Sequence, residues 1–186
     1  MGVTPESSPG RPAPPPVVSL ELLLDAASEA AVRDDWERLR AGGHSSLAAS
    51  TAVANRPHVT AAVRTDLPVP DLSPLADILP LEIRLLAPVV FSRSDETRRG
   101  VLVRPIRLTP ELDALHRRLH AICGPGGDLP HTAPGAWTPH VTLARRLLLS
   151  QTSEAIARLA PAREATFVGV RRWDAARRES RILWNS

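Results

Sequence analysis

The sequence predicts an α+β fold, with two pseudo-symmetric lobes of mixed or antiparallel sheet flanked by helices around a central groove. Three observations carry this expectation. Helix-like and strand-like stretches alternate, yet in places two strands follow one another, giving the order β-α-β-α-β-β-α-β-α-β-β. The tetrapeptide Pro-His-Val-Thr occurs twice, at 57–60 and 139–142, with its histidines 82 positions apart in a chain of 186 residues. That length suits one domain or two small lobes sharing a core, and 43% hydrophobic with 23% charged residues is the balance of a folded protein.

Each element has a local cause. Residues 1–16 hold Pro5, Pro9, Pro12, Pro14, Pro15 and Pro16 among Gly and Ser, and predict a disordered tail. Residues 17–186 then make a single bilobal domain. The apolar run 17–24 reads as a buried strand. Asp25 or Ser28 caps a helix over 26–41, and Gly42-Gly43 ends it. Residues 44–55 are small and polar, a loop. A strand over 57–64 carries the first motif. After a turn-rich linker at 68–74, a short helix is expected over 75–79 with Ser73 as its cap. A long strand over 81–92, a polar turn at 95–100 and a strand over 101–108 form a hairpin. Thr109-Pro110-Glu111 starts a helix running to Ile122. The Gly/Pro loop 124–135 carries His131 and leads to the second motif strand, 137–145. Ser150 caps a helix over 151–159, and two strands, 165–173 and 180–184, close the chain.

The repeated motif carries the chemistry. On a strand, residues i and i+2 share a face. Each copy therefore places an imidazole beside a hydroxyl, His58 with Thr60 and His140 with Thr142, and turns a valine the other way. Two histidines titrating near neutrality can act as an acid and base pair, and two threonines can hydrogen-bond phosphate oxygens. Arg145 and Arg146 follow the second motif. In a regular strand Arg146 shares the face of His140 and Thr142, whereas a bulge would reverse the parity in favour of Arg145. Both are candidate phosphate contacts. His131, in the loop entering the second motif, and Trp137, at its start, are candidate substrate contacts; core packing is the competing role for Trp137. His44, His116 and His120 read as structural or surface residues. His116 and His120 stand four apart on a helix, but no cysteine or third histidine joins them, so no metal site is expected.

The paired motifs, Arg-Pro-His-Val-Thr in the first half and Thr-Pro-His-Val-Thr-Leu-Ala-Arg in the second, resemble those of the two-histidine (2H) phosphoesterase superfamily. Within it they are most similar to the bacterial 2'-5' RNA ligase-like, or LigT-like, branch, over about residues 17–186. The resemblance implies a bilobal fold with one histidine strand per lobe. It also implies a metal-independent, cofactor-free enzyme that opens 2',3'-cyclic phosphate ends of RNA or nucleotides and can run in reverse as a 2'-5' RNA ligase. His58 and His140 would be catalytic, and Thr60 and Thr142 phosphate-binding. The Leu-Ala-Arg ending of the family motif matches Arg145. Two alternatives stay open: a catalytically silent module of the same fold that binds RNA or a nucleotide, and a phosphodiesterase for a small cyclic or 2'-5' nucleotide.

Composition narrows the setting. No apolar run reaches the roughly 18–20 residues that span a bilayer, and the N-terminus lacks the basic and apolar regions of a signal peptide. A lone cysteine, Cys123, forms no internal disulfide and reads as a small apolar residue. A cytoplasmic monomer acting on RNA or a nucleotide, away from membranes, is therefore expected. All 23 basic residues are arginine, which points to coding bias. Residues 140–186 nevertheless hold nine arginines against four acids, a basic region that attracts polyanions. There is no tyrosine and aromatics are 3%, which leaves little material for an aromatic base clamp.

Overall fold

The computed structural model describes residues 16–52, 54–92 and 98–186. In chain order its elements are β1 (Val18–Leu24), α1 (Ala26–Ala41), β2 (His58–Arg64), β3 (Leu81–Leu85), β4 (Val89–Phe91), β5 (Arg99–Pro105), α2 (Pro110–Ile122), β6 (His140–Leu148), α3 (Thr152–Ala157), β7 (Arg163–Asp174) and β8 (Glu179–Asn185). The proline-rich tail expected over 1–16 lies, except for Pro16, outside the described residues, as do residues 95–97 of the polar turn expected at 95–100.

The strands form two antiparallel sheets. The larger has the order β2-β1-β7-β3, with β8 also paired to β7; the smaller is β4-β5-β6. β1 is buried at every position because it lies between β2 and β7. Its residues still divide by face. Leu20, Leu22 and Leu24 enter the shared hydrophobic core, while Ser19 and Glu21 take the other face. The fold is α+β as the sequence predicts, and each His strand is the outer strand of its own sheet. The lobes are unequal, with five strands against three.

Local chemistry explains the helices. Asp25 caps α1 by accepting from the Ser28 backbone N–H at 2.7 Å, and Gly42 closes it. Thr109 caps α2, with Pro110 at its first turn. Cys123 ends α2 half-buried, and burial pushes its thiol up, away from the thiolate.

The structure departs from expectation in three places. The strand expected over 81–92 is two: β3 joins the larger sheet and β4 the smaller. The chain crosses at Leu86–Pro88, where the Leu86 N–H reaches the Pro105 carbonyl at 2.8 Å and Pro88 has no N–H to continue a ladder. The helix expected over 75–79 is a single 3-10 turn at Ser73–Leu75, and Ser73 is spent on the Asp71 carboxylate instead of capping. The last helix shrinks to α3 behind a 3-10 turn at Leu149–Gln151, so Ser150 caps nothing, and β6 extends to Leu148. Among the described residues no helix is long and apolar enough to cross a membrane.

A buried charge cluster ties the parts together. Arg104 of β5 donates to Asp35 of α1 at 2.8 Å, and Arg163 of β7 donates to the same carboxylate. One carboxylate thus joins a helix and both sheets.

Candidate active site

The outer strands β2 and β6 pack against each other where the two sheets meet. On β2, Val59 and Ala61 are fully buried while His58 and Thr60 are half-buried. On β6, Val141 and Leu143 are fully buried while His140 and Thr142 are half-buried. The alternation of a strand therefore presents an imidazole and a hydroxyl from each lobe.

Both rings are pinned in the same way. The Nδ1 of His58 lies 2.6 Å from the Arg56 carbonyl, and the Nδ1 of His140 lies 2.7 Å from the Thr138 carbonyl. In each case the acceptor is two residues back, across a proline (Pro57 or Pro139) whose fixed φ sets the carbonyl's direction. A carbonyl only accepts, so the proton sits on Nδ1 and the Nε2 is left for chemistry. The proline of the motif is thus part of the site.

Two tryptophans brace the strands reciprocally. Trp36 of α1 donates its indole N–H to the Thr142 carbonyl at 3.1 Å, and Trp137 donates to the Thr60 carbonyl at 2.8 Å. Each satisfies a carbonyl just behind a histidine of the opposite half, and so fixes one motif relative to the other. Trp137 is buried and stacks on His116, with centroids 4.0 Å apart and planes 3° apart. Of the two roles the sequence leaves open for Trp137, substrate contact and core packing, its position is that of core packing. His44, His116 and His120 are likewise buried, which corrects the surface alternative. The Nε2 of His116 and of His120 approach the Ala61 carbonyl at 2.9 and 3.2 Å, and the Nδ1 of His120 lies 3.2 Å from Asp128. Burial pushes His116 down to about 4, so it is neutral in the physiological range.

A cleft of about 310 Å³ opens beside the first motif, lined by Glu21, His58, Thr60, Arg145, Arg171 and Trp173 with part of the 44–55 loop. Arg145 reaches it because β6 bulges. Val103 pairs with Thr142 but Leu102 with Ala144, so β6 carries an extra residue just before Arg145, and a second irregularity follows between Ala144 and Leu147, where Arg146 takes a positive φ of 63°. This corrects the regular-strand parity: Arg145 lines the cleft and Arg146 lies off it, its carbonyl accepting from Arg99 at 3.0 Å.

The two imidazoles have different surroundings. Against His140 stands the edge of Phe91, with centroids 5.1 Å apart at 78°. Burial lowers the His140 imidazole below its ordinary range, the Thr138 carbonyl opposes this in part, and the nearby charges of His58 and His131 push it further down. His131 sits exposed on a 3-10 turn, Pro130–Thr132, close enough for its charge to act on His140. Beside His58 stands a buried ion pair, with Arg171 Nε donating to Glu21 Oε2 at 2.6 Å, and Glu21 Oε1 lies 3.5 Å from His58 Nε2. Sequence reasoning missed Glu21, Arg171, Phe91 and Trp36. Glu21 alone left a trace: it is the single charge inside the apolar run 17–24, and a buried charge needs a partner.

A family model described as the 2'-5' RNA ligase superfamily matches residues 27–180. The chain belongs to this superfamily, and so to the two-histidine phosphoesterases. Among solved structures it is similar to Kluyveromyces marxianus Usb1, both alone and with uridine monophosphate. Each comparison gives 11% identity and a TM-score of 0.48, covering 90% of this chain and 97% of the other. No curated protein matches the chain.

Proposed function

We propose that the protein opens 2',3'-cyclic phosphate ends of RNA or nucleotides by acid–base catalysis between His58 and His140, with 2'-5' ligation when a 5'-hydroxyl attacks in place of water. The observation that carries this reading is the matched pair of imidazoles, one from each lobe, each anchored through Nδ1 with Nε2 left for proton transfer. His140, kept neutral by burial, takes a proton from water as the oxygen bonds to phosphorus. The bond from phosphorus to one ribose oxygen breaks, and that oxygen leaves with a proton from His58. The products are a phosphomonoester and a free ribose hydroxyl, and the two histidines have exchanged protonation states. Ligation is the same displacement with a 5'-hydroxyl attacking in place of water: its oxygen bonds to phosphorus, the bond to the 3'-oxygen breaks, and the products are a 2'-5' phosphodiester and a free 3'-hydroxyl. Charge on the phosphoryl oxygens is met by Thr60, Thr142 and the Arg145 guanidinium, which supply without a metal the donors such a transition state needs.

The test is turnover of 2',3'-cyclic nucleotides and of a cyclic-phosphate-ended RNA oligomer in EDTA, beside the double variant His58→Ala/His140→Ala. Hydrolysis by the wild type alone is expected. If no member of the set turns over, the reading fails, and salt-dependent RNA binding then separates a silent RNA-binding module from an enzyme for another phosphodiester. The bulge adds a sharper expectation. Arg145→Ala should lower kcat/KM about a hundredfold, the scale of one lost donor to a developing oxyanion, whereas Arg146→Ala should stay near wild type. Equal losses in both variants would contradict the placement of Arg145.

A further inference from the structure

We infer that Glu21 is a positioning residue for the first histidine: its carboxylate, held by Arg171 and Ser19 and aimed at His58 Nε2, favours a proton on the nitrogen that delivers it to the leaving oxygen. This rests on the two-histidine reading above.

The geometry is specific. Glu21 and Arg171 are each only 4% exposed, on adjacent strands whose register pairs Glu21 with Arg171 on one side and Thr60 on the other. Three groups fix the carboxylate and its partner. Arg171 Nε holds Oε2 at 2.6 Å, Ser19 donates to Oε1 at 2.9 Å, and Arg171 Nη1 donates to the Ala54 carbonyl at 3.0 Å. Oε1 is thereby aimed at His58 Nε2 from 3.5 Å. A carboxylate is an odd wall for a cleft that receives an anion, and burying one is costly without a compensating interaction. Arg171 supplies the compensation.

The groups facing the ring come from every neighbouring element. Arg171 of β7 has Nη2 at 3.2 Å from Nδ1, but the Arg56 carbonyl is nearer at 2.6 Å and takes the Nδ1 proton. Arg145 of β6 lines the same cleft, and His140 of β6 is close enough for the two rings to influence each other's charge. The Arg56 guanidinium is turned away, paired with Glu29 of α1, which also holds Arg33. Glu21 is thus the negative group aimed at His58, set among cations. At 3.5 Å the carboxylate acts on Nε2 by charge, without the short hydrogen bond that would sequester a proton there. A substrate oxygen entering the cleft can take that proton over. His140 has the edge of Phe91 beside it where His58 has Glu21, so the inference separates the roles of two residues that the motif makes look alike.

The experiment compares pH profiles of kcat/KM for a 2',3'-cyclic nucleotide in wild type and Glu21→Gln, with the His58 ring followed by NMR in both. The alkaline limb should move to lower pH by about one unit, the lower end for loss of a neighbouring opposite charge. At pH 8 kcat should fall about tenfold with KM changed less than threefold, and the His58 ring titration should move in the same direction. A purely structural role would lower activity at all pH values and leave the limb in place; that result, with an unmoved ring titration, overturns the inference. Should the glutamine variant not fold, Glu21→Asp carries the same test, with a smaller shift in the same direction expected and no shift overturning it. If the wild type opens no cyclic phosphate, the two-histidine reading has failed, and the NMR titration still decides whether Glu21 holds the His58 proton.

Discussion

Replacing either His58 or His140 with alanine is expected to lower kcat for cyclic-phosphate opening by between about a hundredfold and ten-thousandfold. Each ring moves one proton in a single displacement, so losing either leaves attack or departure to water. The double variant should be little worse than the poorer single one, because residues that act as a unit lose their function together. The pH profiles should separate the two. Burial holds His140 below its ordinary range, so the acidic limb of the wild type should fall below about pH 6.5, the ordinary imidazole value. A base works when deprotonated, so rate rises as pH climbs through that limb. His140→Ala should flatten it and His58→Ala should flatten the alkaline limb, with residual rates read under single-turnover conditions. Wild-type turnover in either single variant would end the two-histidine mechanism, and a shared effect on one limb would end the division of roles.

What the sequence revealed, and what it hid, follows from the range of each signal. The His-x-Thr pair was legible because strand periodicity is local: His58 and Thr60 share a face whatever the rest of the chain does. The capped starts of α1 and α2 were legible for the same reason, Asp25 and Thr109 acting within one turn. The split of the expected long strand into β3 and β4 was hidden, because an alternating pattern does not say which sheet each half joins. Arg145 depended on a bulge, a pairing irregularity between β5 and β6 that no single strand encodes. Glu21 and Arg171, 150 positions apart, meet only because β1 and β7 are neighbours in the finished sheet. Trp137 adjoins the motif, so base stacking and core packing were both open in the sequence; what decides is the Thr60 carbonyl of β2, which takes its indole N–H and is not visible from the local pattern.

Asp35→Ala is expected to destabilise the fold by about 3–5 kcal/mol, the cost of leaving a buried charge without its partner. Asp35 and Arg104 have fully buried side chains, at 0% exposure each. The carboxylate accepts from Arg104 at 2.8 Å and from Arg163, and faces the Ala160 N–H at 3.4 Å. Arg104 also donates to the Ala160 carbonyl at 2.6 Å and the Leu86 carbonyl at 3.1 Å, so it cannot swing out to water without breaking the crossing between β3 and β4. Removing Asp35 strands this guanidinium and frees α1 from both sheets at once. Arg104→Met should cost less, because Asp35 keeps Arg163 and a methionine fills much of the space. Urea unfolding is the measurement: the midpoint should fall in the order wild type, Arg104→Met, Asp35→Ala, at nearly constant m. For a chain of this size the larger loss lowers Tm on the order of 10 °C. An Asp35→Ala unfolding free energy within about 1 kcal/mol of wild type would show that the cluster is not the staple between the sheets. The site should report the same event. α1 carries Trp36, whose indole holds the Thr142 carbonyl, so loosening α1 releases the second motif strand, and kcat should fall below the wild-type value even at temperatures where Asp35→Ala remains folded.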